Sequence, residues 1–321
     1  MQTIITESRG MSGVSHAPEA RFIDVSGPAA AGGQPRKMAW WDWAPVPGAD
    51  PHRVVICVHG LSRQGRDFDV LAQALTAQAR VVAIDVAGRG RSDWLADPMA
   101  YQVGTYVADV AALLAQLRAQ DPRLQIDWVG TSMGGLIGMA VAAHPTIGVR
   151  RLVLNDVGPV IQWEALRRIG TYLGLNPSFA TEREAIDYLR SISTSFGPHT
   201  DEEWAALSRP MLREREGRWW LHYDPAIAVP VRALTDSQDE AAARQVVSDG
   251  EAALWAAYDA IQARTLVLRG ADSDLLTRET TAAMGARGPC ARCVEFAGVG
   301  HAPTLVAPGQ VAAVTGFLAA P

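Results

Sequence analysis

The chain has 321 residues, enough for one large domain or for a domain that carries a sizeable insertion. Hydrophobic residues make up 48% of it and charged residues 20%, which is the composition of a soluble globular protein. Its formal net charge is −5 and it has no run rich in Lys and Arg, so the sequence argues against a nucleic-acid partner.

The N-terminal stretch predicts a tail. Residues 1–35 are rich in Gly, Ala, Ser and Pro, a composition typical of flexible chain ends. The opening "MQTIITESRGMSGVSHAPEARF" carries charges and lacks the apolar core of a signal peptide. No later stretch approaches the roughly 20 apolar residues of a membrane helix. We therefore expect a cytoplasmic protein with no membrane partner.

Strands and helices are predicted to alternate through the first half of the chain. Short β-branched runs predict strands at 36–43, 53–58, 80–85, 125–130 and 150–156. Apolar positions at helical spacing predict helices at 67–79, 106–120 and 134–144. This alternation predicts an α/β fold, with a doubly wound, mostly parallel sheet covered by helices on both faces.

The alternation stops near residue 160. Residues 160–260 read as helical throughout, with no strong strand, and the α/β pattern then resumes with strands at 263–270 and 291–296 and helices near 277–286 and at 309–320. The sequence thus predicts an α/β core of residues 36–159 and 261–321. The inserted helical cap, residues 160–260, should lie over the sheet edge where such folds bind ligands. The tryptophans of the cap either form its own small core or line an apolar substrate pocket.

A candidate nucleophile lies in "GTSMGG" (130–135), between a predicted strand and a predicted helix. Ser132 is the centre of G-x-S-x-G, a motif that depends on this strand–turn–helix context. Bulky residues two positions away would clash on so sharp a turn, and Gly130 and Gly134 remove those side chains. Gly135 lets the helix pack close to the sheet. We predict that Ser132 is a nucleophile.

A serine hydroxyl needs a base to take its proton, and His301 is placed to be that base. It lies in "GVGHAPTL" (298–305), a loop between the last predicted strand and the last predicted helix. A carboxylate should orient this imidazole. Asp272 and Asp274, in "RGADSDLL" (269–276), follow a strand and are the candidates.

Two backbone N–H groups would complete the site as an oxyanion hole. One is expected from Met133, the residue after the candidate nucleophile. The other is expected from Leu61 in "CVHGLSRQG" (57–65), where Gly60 allows the chain to turn. His59 is interpreted as a residue that braces this loop.

Across roughly residues 36–320 the chain resembles the α/β-hydrolase superfamily. The motifs that carry the resemblance occur in the family's order: "HGL" (59–61), "DVAGRGRS" (85–92), "GTSMGG" (130–135), "RGADSD" (269–274) and "GVGH" (298–301). The resemblance implies a Ser–Asp–His serine hydrolase of the carboxylesterase type with a helical cap, which needs neither a metal nor an organic cofactor. Cys290 and Cys293 form a lone C-x-x-C without further ligands nearby, so a structural role is favoured for both.

The sequence departs from the family pattern at the acid. The family usually has G-x-x-D, whereas Gly270 is followed by Asp272 and Asp274, two and four positions on. Asp274 is the favoured acid because the Leu–Leu pair after it should anchor the loop and turn the carboxylate towards His301. Asp272 is the first alternative, interpreted as a turn residue. Asp156 is the second, because some relatives supply their acid from the strand that ends there.

The leading functional prediction is hydrolysis of a small to medium carboxylic ester through an acyl-enzyme on Ser132. The alternatives are hydrolysis of a lactone or of a C–C bond in a ring-cleavage diketone. C–C hydrolysis would need a basic clamp in the pocket, for which Arg63 and Arg66 are the candidates. A ligand-binding receptor on this fold would often lack a triad member, and none is missing. The expected partner is a small-molecule ester, and a homodimer remains open.

Overall fold

The computed structural model describes residues 17–26 and 35–320. Its centre is an eight-stranded sheet formed by β1 (Glu19–Ser26), β2 (Pro35–Trp43), β3 (Arg53–Val58), β4 (Arg80–Asp85), β5 (Gln125–Thr131), β6 (Val149–Asn155), β10 (Arg264–Gly270) and β11 (Arg292–Phe296). The spatial order is β1-β2-β4-β3-β5-β6-β10-β11. The pairs β1–β2 and β2–β4 are antiparallel and the others are parallel, so the predicted mostly parallel α/β sheet is confirmed.

Part of the predicted N-terminal tail is a strand. Residues 19–26 pair with β2 along their whole length, from Glu19 opposite Asp42 to Ser26 opposite Pro35. Val25 is buried, and Arg21 forms an ion pair with Asp42 at 2.9 Å. The assignment of these residues to a flexible tail is therefore wrong, because pairing with β2 outweighs the local composition. The rest of that tail, residues 1–16 and 27–34, lies outside the described residues.

Helices cover both faces of the sheet. They are α1 (Asp69–Leu75), α2 (Val103–Gln120), α3 (Met133–Ala143), α9 (Arg278–Ala286) and α10 (Pro308–Ala319). Leu75 of α1 and Val314 of α10 are buried in the core cluster on one face, and Leu113 of α2 and Ile137 of α3 in the cluster on the other. The central strands are covered from both sides as a result, and every residue of β3 is buried. Among the described residues, no helix combines the length and the apolar character needed to cross a lipid bilayer.

The cap follows β6 and ends where β10 begins. It contains α4 (Trp163–Tyr172), α5 (Glu182–Ile192), α6 (Asp201–Ser208), α7 (Val229–Thr235) and α8 (Glu240–Ala260). It also contains a three-stranded sheet of β7 (Ser178–Phe179), β8 (Leu212–Arg215) and β9 (Arg218–Leu221), in the order β7-β9-β8.

The segment is predicted to be helical throughout with no strong strand, and these three short strands depart from the all-helical part of that prediction. Glu216 and Gly217, which join β8 to β9, have φ values of 53° and 70°. Positive φ at both central residues is the geometry of a two-residue hairpin turn, and the Glu–Gly pair between two short runs was its only local signal.

Candidate active site

The turn that carries Ser132 joins the end of β5 to the start of α3. Ser132 has φ 51° and ψ −117°, a strained conformation for a residue with a side chain. A Cβ on Gly130 would lie 2.2 Å from the carbonyl oxygen of Gly134, and a Cβ on Gly134 would lie 1.9 Å from that of Val58. The turn is therefore accessible only with glycine at both positions, for the steric reason inferred from the sequence.

His301 lies beside this serine. It follows β11 in a loop, and its Nε2 is 3.0 Å from Ser132 Oγ. The candidate nucleophile and the candidate base are thus within hydrogen-bonding distance, as a proton transfer between them requires.

The carboxylate next to His301 belongs to Asp156. Its Oδ2 lies 2.7 Å from His301 Nδ1. Asp156 directly follows β6, is fully buried and has φ 56°. Its carboxylate also accepts hydrogen bonds from the Gly270 amide at 2.8 Å and from Ser273 Oγ at 2.6 Å. This carboxylate is therefore fixed directly after β6, the neighbour of the strand β5 that precedes Ser132.

The expectation that Asp274 orients His301 is corrected by these contacts. Asp274 is half exposed and forms a bidentate ion pair with Arg168 of α4, with N–O distances of 2.8 and 3.0 Å. The Leu–Leu pair after it is buried, as expected, but the residue turned inward is Ser273. The Ser273 hydroxyl binds Asp156 and accepts the amides of the two leucines, which leaves Asp274 facing outward. The Asp272 side chain is exposed as well.

Asp156 was the second alternative, and a signal for it exists in the sequence. The run "RRLVLND" ends a strand with a carboxylate, and β6 is the spatial neighbour of β5. The carboxyl ends of adjacent parallel strands meet at one edge of a sheet. A carboxylate in this position therefore meets the serine, even though the two are separate in sequence.

The candidate oxyanion donors lie on either side of Ser132. Met133 is the first residue of α3, a position whose N–H has no partner within the helix. On the other side, a Cβ on Gly60 would lie 3.7 Å from Ser132 Cβ, so the loop that carries Leu61 runs beside the serine. Arg89, fully buried, holds this loop by donating from Nε to the Leu61 carbonyl at 2.8 Å.

His59 braces the same loop. Its Nδ1 donates to the Gly60 carbonyl at 2.7 Å, and its Nε2 accepts the Val86 amide at 3.0 Å. Burial lowers the pKa of His59 from 6.5 to about 3, so the ring is neutral near pH 7. It is a structural residue of the site and carries no charge there.

A cavity between core and cap opens onto Ser132 and His301. Its wall is mainly apolar and includes Leu61 and Phe68 of the core and Ile169, Leu173, Leu189 and Phe196 of the cap. Among the described residues the wall contains no tryptophan, and Trp204 instead stacks on Phe196 with ring centroids 6.2 Å apart. The cap tryptophans therefore do not form the wall of this cavity.

In the described part of the chain, the wall contains three charged side chains of the Lys, Arg, Asp and Glu types: Arg63, Asp67 and Arg168. Arg63 donates to Asp67 through Nε and Nη2 at 2.8 and 2.7 Å and to the Leu207 carbonyl at 2.9 Å. Its charge is thus matched within the protein. Arg66 forms an ion pair with Asp69 at 2.5 Å.

The sequence model described as the Alpha/beta hydrolase family matches residues 55–314. This span includes Ser132, Asp156 and His301 and both candidate oxyanion donors. The chain belongs to the alpha/beta hydrolase family.

The chain is similar to two named hydrolases and to a solved structure of this family. A 3-hydroxybutyrate-oligomer hydrolase of Cupriavidus necator is 47% identical over 308 residues, which are 95% of this chain and 99% of the relative. A 2-hydroxymuconate semialdehyde hydrolase of Pseudomonas sp. is 30% identical over 207 residues, 64% of each chain. A solved structure of an alpha/beta hydrolase from Novosphingobium aromaticivorans matches with a TM-score of 0.77 and 33% identity, covering 94% of this chain and 98% of that one.

The remaining residues considered from the sequence are apart from this site. Cys290 and Cys293 are exposed free cysteines next to and within β11. In the described ranges, 17–26 and 35–320, no group of three or more His, Cys, Asp or Glu is arranged to hold a metal ion.

Proposed function

We propose that this chain is a serine esterase that hydrolyses short linear esters of 3-hydroxy acids, with 3-hydroxybutyrate oligomers as the substrate class, through an acyl-enzyme on Ser132. The observation that carries the proposal is the contact series from Ser132 to His301 to Asp156, at 3.0 and 2.7 Å. The relative at 47% identity over nearly its full length supports the substrate class.

The reaction follows from the positions of these three side chains. His301 Nε2 takes the hydroxyl proton as Ser132 Oγ attacks the ester carbonyl, and Asp156 stabilises the imidazolium that forms. The amides of Met133 and Leu61 stabilise the oxyanion. When the tetrahedral intermediate collapses, the C–O bond to the leaving hydroxy acid breaks and His301 returns the proton to that oxygen. Water, deprotonated by His301, then attacks the acyl-enzyme. The bond between the acyl carbon and Ser132 Oγ breaks, His301 returns the proton to Oγ, and the second acid is released.

The cavity suits a short, weakly polar ester chain. An oligomer of 3-hydroxybutyrate presents methyl groups and ester carbonyls along its length and one free carboxylate at its end. The apolar wall matches the former. Arg168 also lines the wall, and its ion-pair partner Asp274 is half exposed. The substrate carboxylate can therefore replace Asp274 as the partner of Arg168 at little cost in free energy.

C–C bond hydrolysis is the less favoured reaction. It would need an arginine that meets an anionic dienol in the pocket, and Arg63 is the candidate by position. Asp67 already supplies the negative charge that Arg63 needs, so no anionic substrate is required to explain its burial. The relative that acts on a muconate semialdehyde covers only 64% of this chain. Lactones share the ester chemistry and remain secondary substrates of the same site.

A substrate panel tests the proposal. The purified protein is given linear 3-hydroxybutyrate dimer and trimer, p-nitrophenyl esters of graded acyl length, a lactone and a ring-cleavage diketone. We expect the highest kcat/KM on the dimer or trimer, and loss of turnover in Ser132→Ala. Turnover of the diketone with none on any ester would refute the proposal.

A further inference from the structure

A segment of the cap lies on the loop that carries His301. Ser195 Oγ donates to the His301 carbonyl at 2.5 Å, and the Gly300 amide donates to the Ser195 carbonyl at 2.7 Å. A short distance further on, His199 Nε2 lies 2.7 Å from Thr304 Oγ1. The cap thus binds the loop on both sides of the histidine.

These contacts hold a loop that lies outside the regular secondary structure. The His301 loop lies between β11 and α10 and belongs to no strand or helix. On the core side, Asn155 Nδ2 donates to the Pro303 carbonyl at 2.8 Å and the Asp272 amide donates to the Val299 carbonyl at 2.9 Å. Ser195 adds a support from the cap, through the Gly300 amide and the His301 carbonyl.

The local sequence permits this close approach. A Cβ on Gly300 would lie 3.1 Å from Ser195 Cβ, so a larger residue would push the cap segment away. Ser195 lies in a short 3-10 turn, Thr194–Phe196, which ends at Gly197 with φ 83°. The turn presents both the hydroxyl and the carbonyl of Ser195 to the same loop.

We propose that Ser195 is a positioning residue for His301, so that the cap contributes to the chemical step as well as to the pocket wall. The inference rests on the proposed function, in which His301 transfers protons to and from Ser132. A displaced loop lengthens the contact between His301 Nε2 and Ser132 Oγ and lowers the rate of proton transfer. Because Ser195 also lines the cavity, a direct contact with substrate is the competing explanation.

Three variants separate positioning from substrate contact. Ser195→Ala removes the hydroxyl, Ser195→Thr keeps it, and Ser191→Ala is the matched control, since its hydroxyl donates only locally to the Tyr188 carbonyl on α5. Loss of one neutral hydrogen bond predicts a fall in kcat of about 3- to 10-fold for Ser195→Ala on 3-hydroxybutyrate dimer, with KM within about twofold. Ser195→Thr should regain most of the activity, and Ser191→Ala should match wild type.

A second measurement needs no ester substrate. The rate at which a fluorophosphonate labels Ser132 depends on the contact with His301, and it should fall in Ser195→Ala by a similar factor while the circular dichroism spectrum stays unchanged. Unchanged kcat and labelling in Ser195→Ala would overturn the inference, and so would a rise in KM at unchanged kcat. If wild type hydrolyses no dimer, the proposed function fails, and the labelling rates still decide the role of Ser195.

Discussion

Replacement of Asp156 or of Asp274 by asparagine tests which carboxylate orients His301. The structure places Asp156 next to His301, whereas the sequence favours Asp274. Asp156→Asn keeps the shape of a fully buried side chain but changes one oxygen to an NH2 group. If the amide oxygen keeps the Gly270 amide, the NH2 group faces His301 Nδ1. His301 Nδ1 must then accept a hydrogen bond from this NH2 group, so the ring proton lies on Nε2. A protonated Nε2 cannot take the hydroxyl proton of Ser132.

The expected loss is large for one variant and negligible for the other. A triad histidine held in the wrong tautomer reduces kcat by about 10⁴-fold, or about 5 kcal/mol of transition-state stabilisation. Asp274→Asn breaks a half-exposed ion pair with Arg168, an interaction worth at most about 1 kcal/mol of stability. Its kcat should stay within about twofold of wild type on a substrate that carries no charge, because the pair does not touch His301.

The assay is steady-state hydrolysis of p-nitrophenyl 3-hydroxybutyrate, with thermal unfolding curves to show that each variant is folded. A folded Asp274→Asn protein that loses several orders of magnitude in kcat, beside a near-normal Asp156→Asn, would refute this reasoning.

Three further changes have defined outcomes. Gly134→Ala places a Cβ 1.9 Å from the Val58 carbonyl oxygen and should lower the free energy of unfolding, measured by urea titration, by about 3 kcal/mol or more. The control is Gly316→Ala on α10, where a Cβ enters open space and should be neutral or slightly stabilising. Burial lowers the pKa of His59 from 6.5 to about 3, so the unfolded chain binds more protons than the folded chain between these pH values. The free energy of unfolding, relative to that of His59→Gln, should therefore fall by about 1.4 kcal/mol for each pH unit as the pH decreases from 6.5 to about 3. Equal pH slopes for the two proteins would contradict this. Arg168→Gln should raise KM for free-acid dimer about fivefold and leave KM for its methyl ester unchanged; equal effects on both substrates would exclude carboxylate binding.

Much of the fold and of the candidate site follows from local sequence. The alternation of short β-branched runs with longer helical patterns predicts the core strands and helices, because parallel strands buried on both faces are continuous apolar runs and the helices between them keep a 3.6-residue period. Ser132 and His301 are predicted as site residues for a similar reason, since each follows a strand in a glycine-containing loop. Steric contacts at Gly130 and Gly134 explain why the first of these loops has so specific a sequence.

The acid was harder to locate because its position depends on which strands are neighbours in space. Asp156 follows β6, which pairs with β5, and this pairing is not a property of either strand's own sequence. Around Asp274 the local argument was correct about the buried leucines but did not determine which polar residue turns inward. The cap hairpin was missed because its strands are four residues long and mostly charged or aromatic, with too few alternations to exceed the helical pattern around them.

Fluorophosphonate labelling followed by hydrolysis of 3-hydroxybutyrate dimer tests the central claim most directly. One phosphonyl group per chain, located on Ser132 by peptide mass spectrometry, should abolish dimer hydrolysis in proportion to the fraction labelled, and Ser132→Ala should be neither labelled nor active. Dimer hydrolysis that persists in fully labelled protein or in Ser132→Ala would contradict the account.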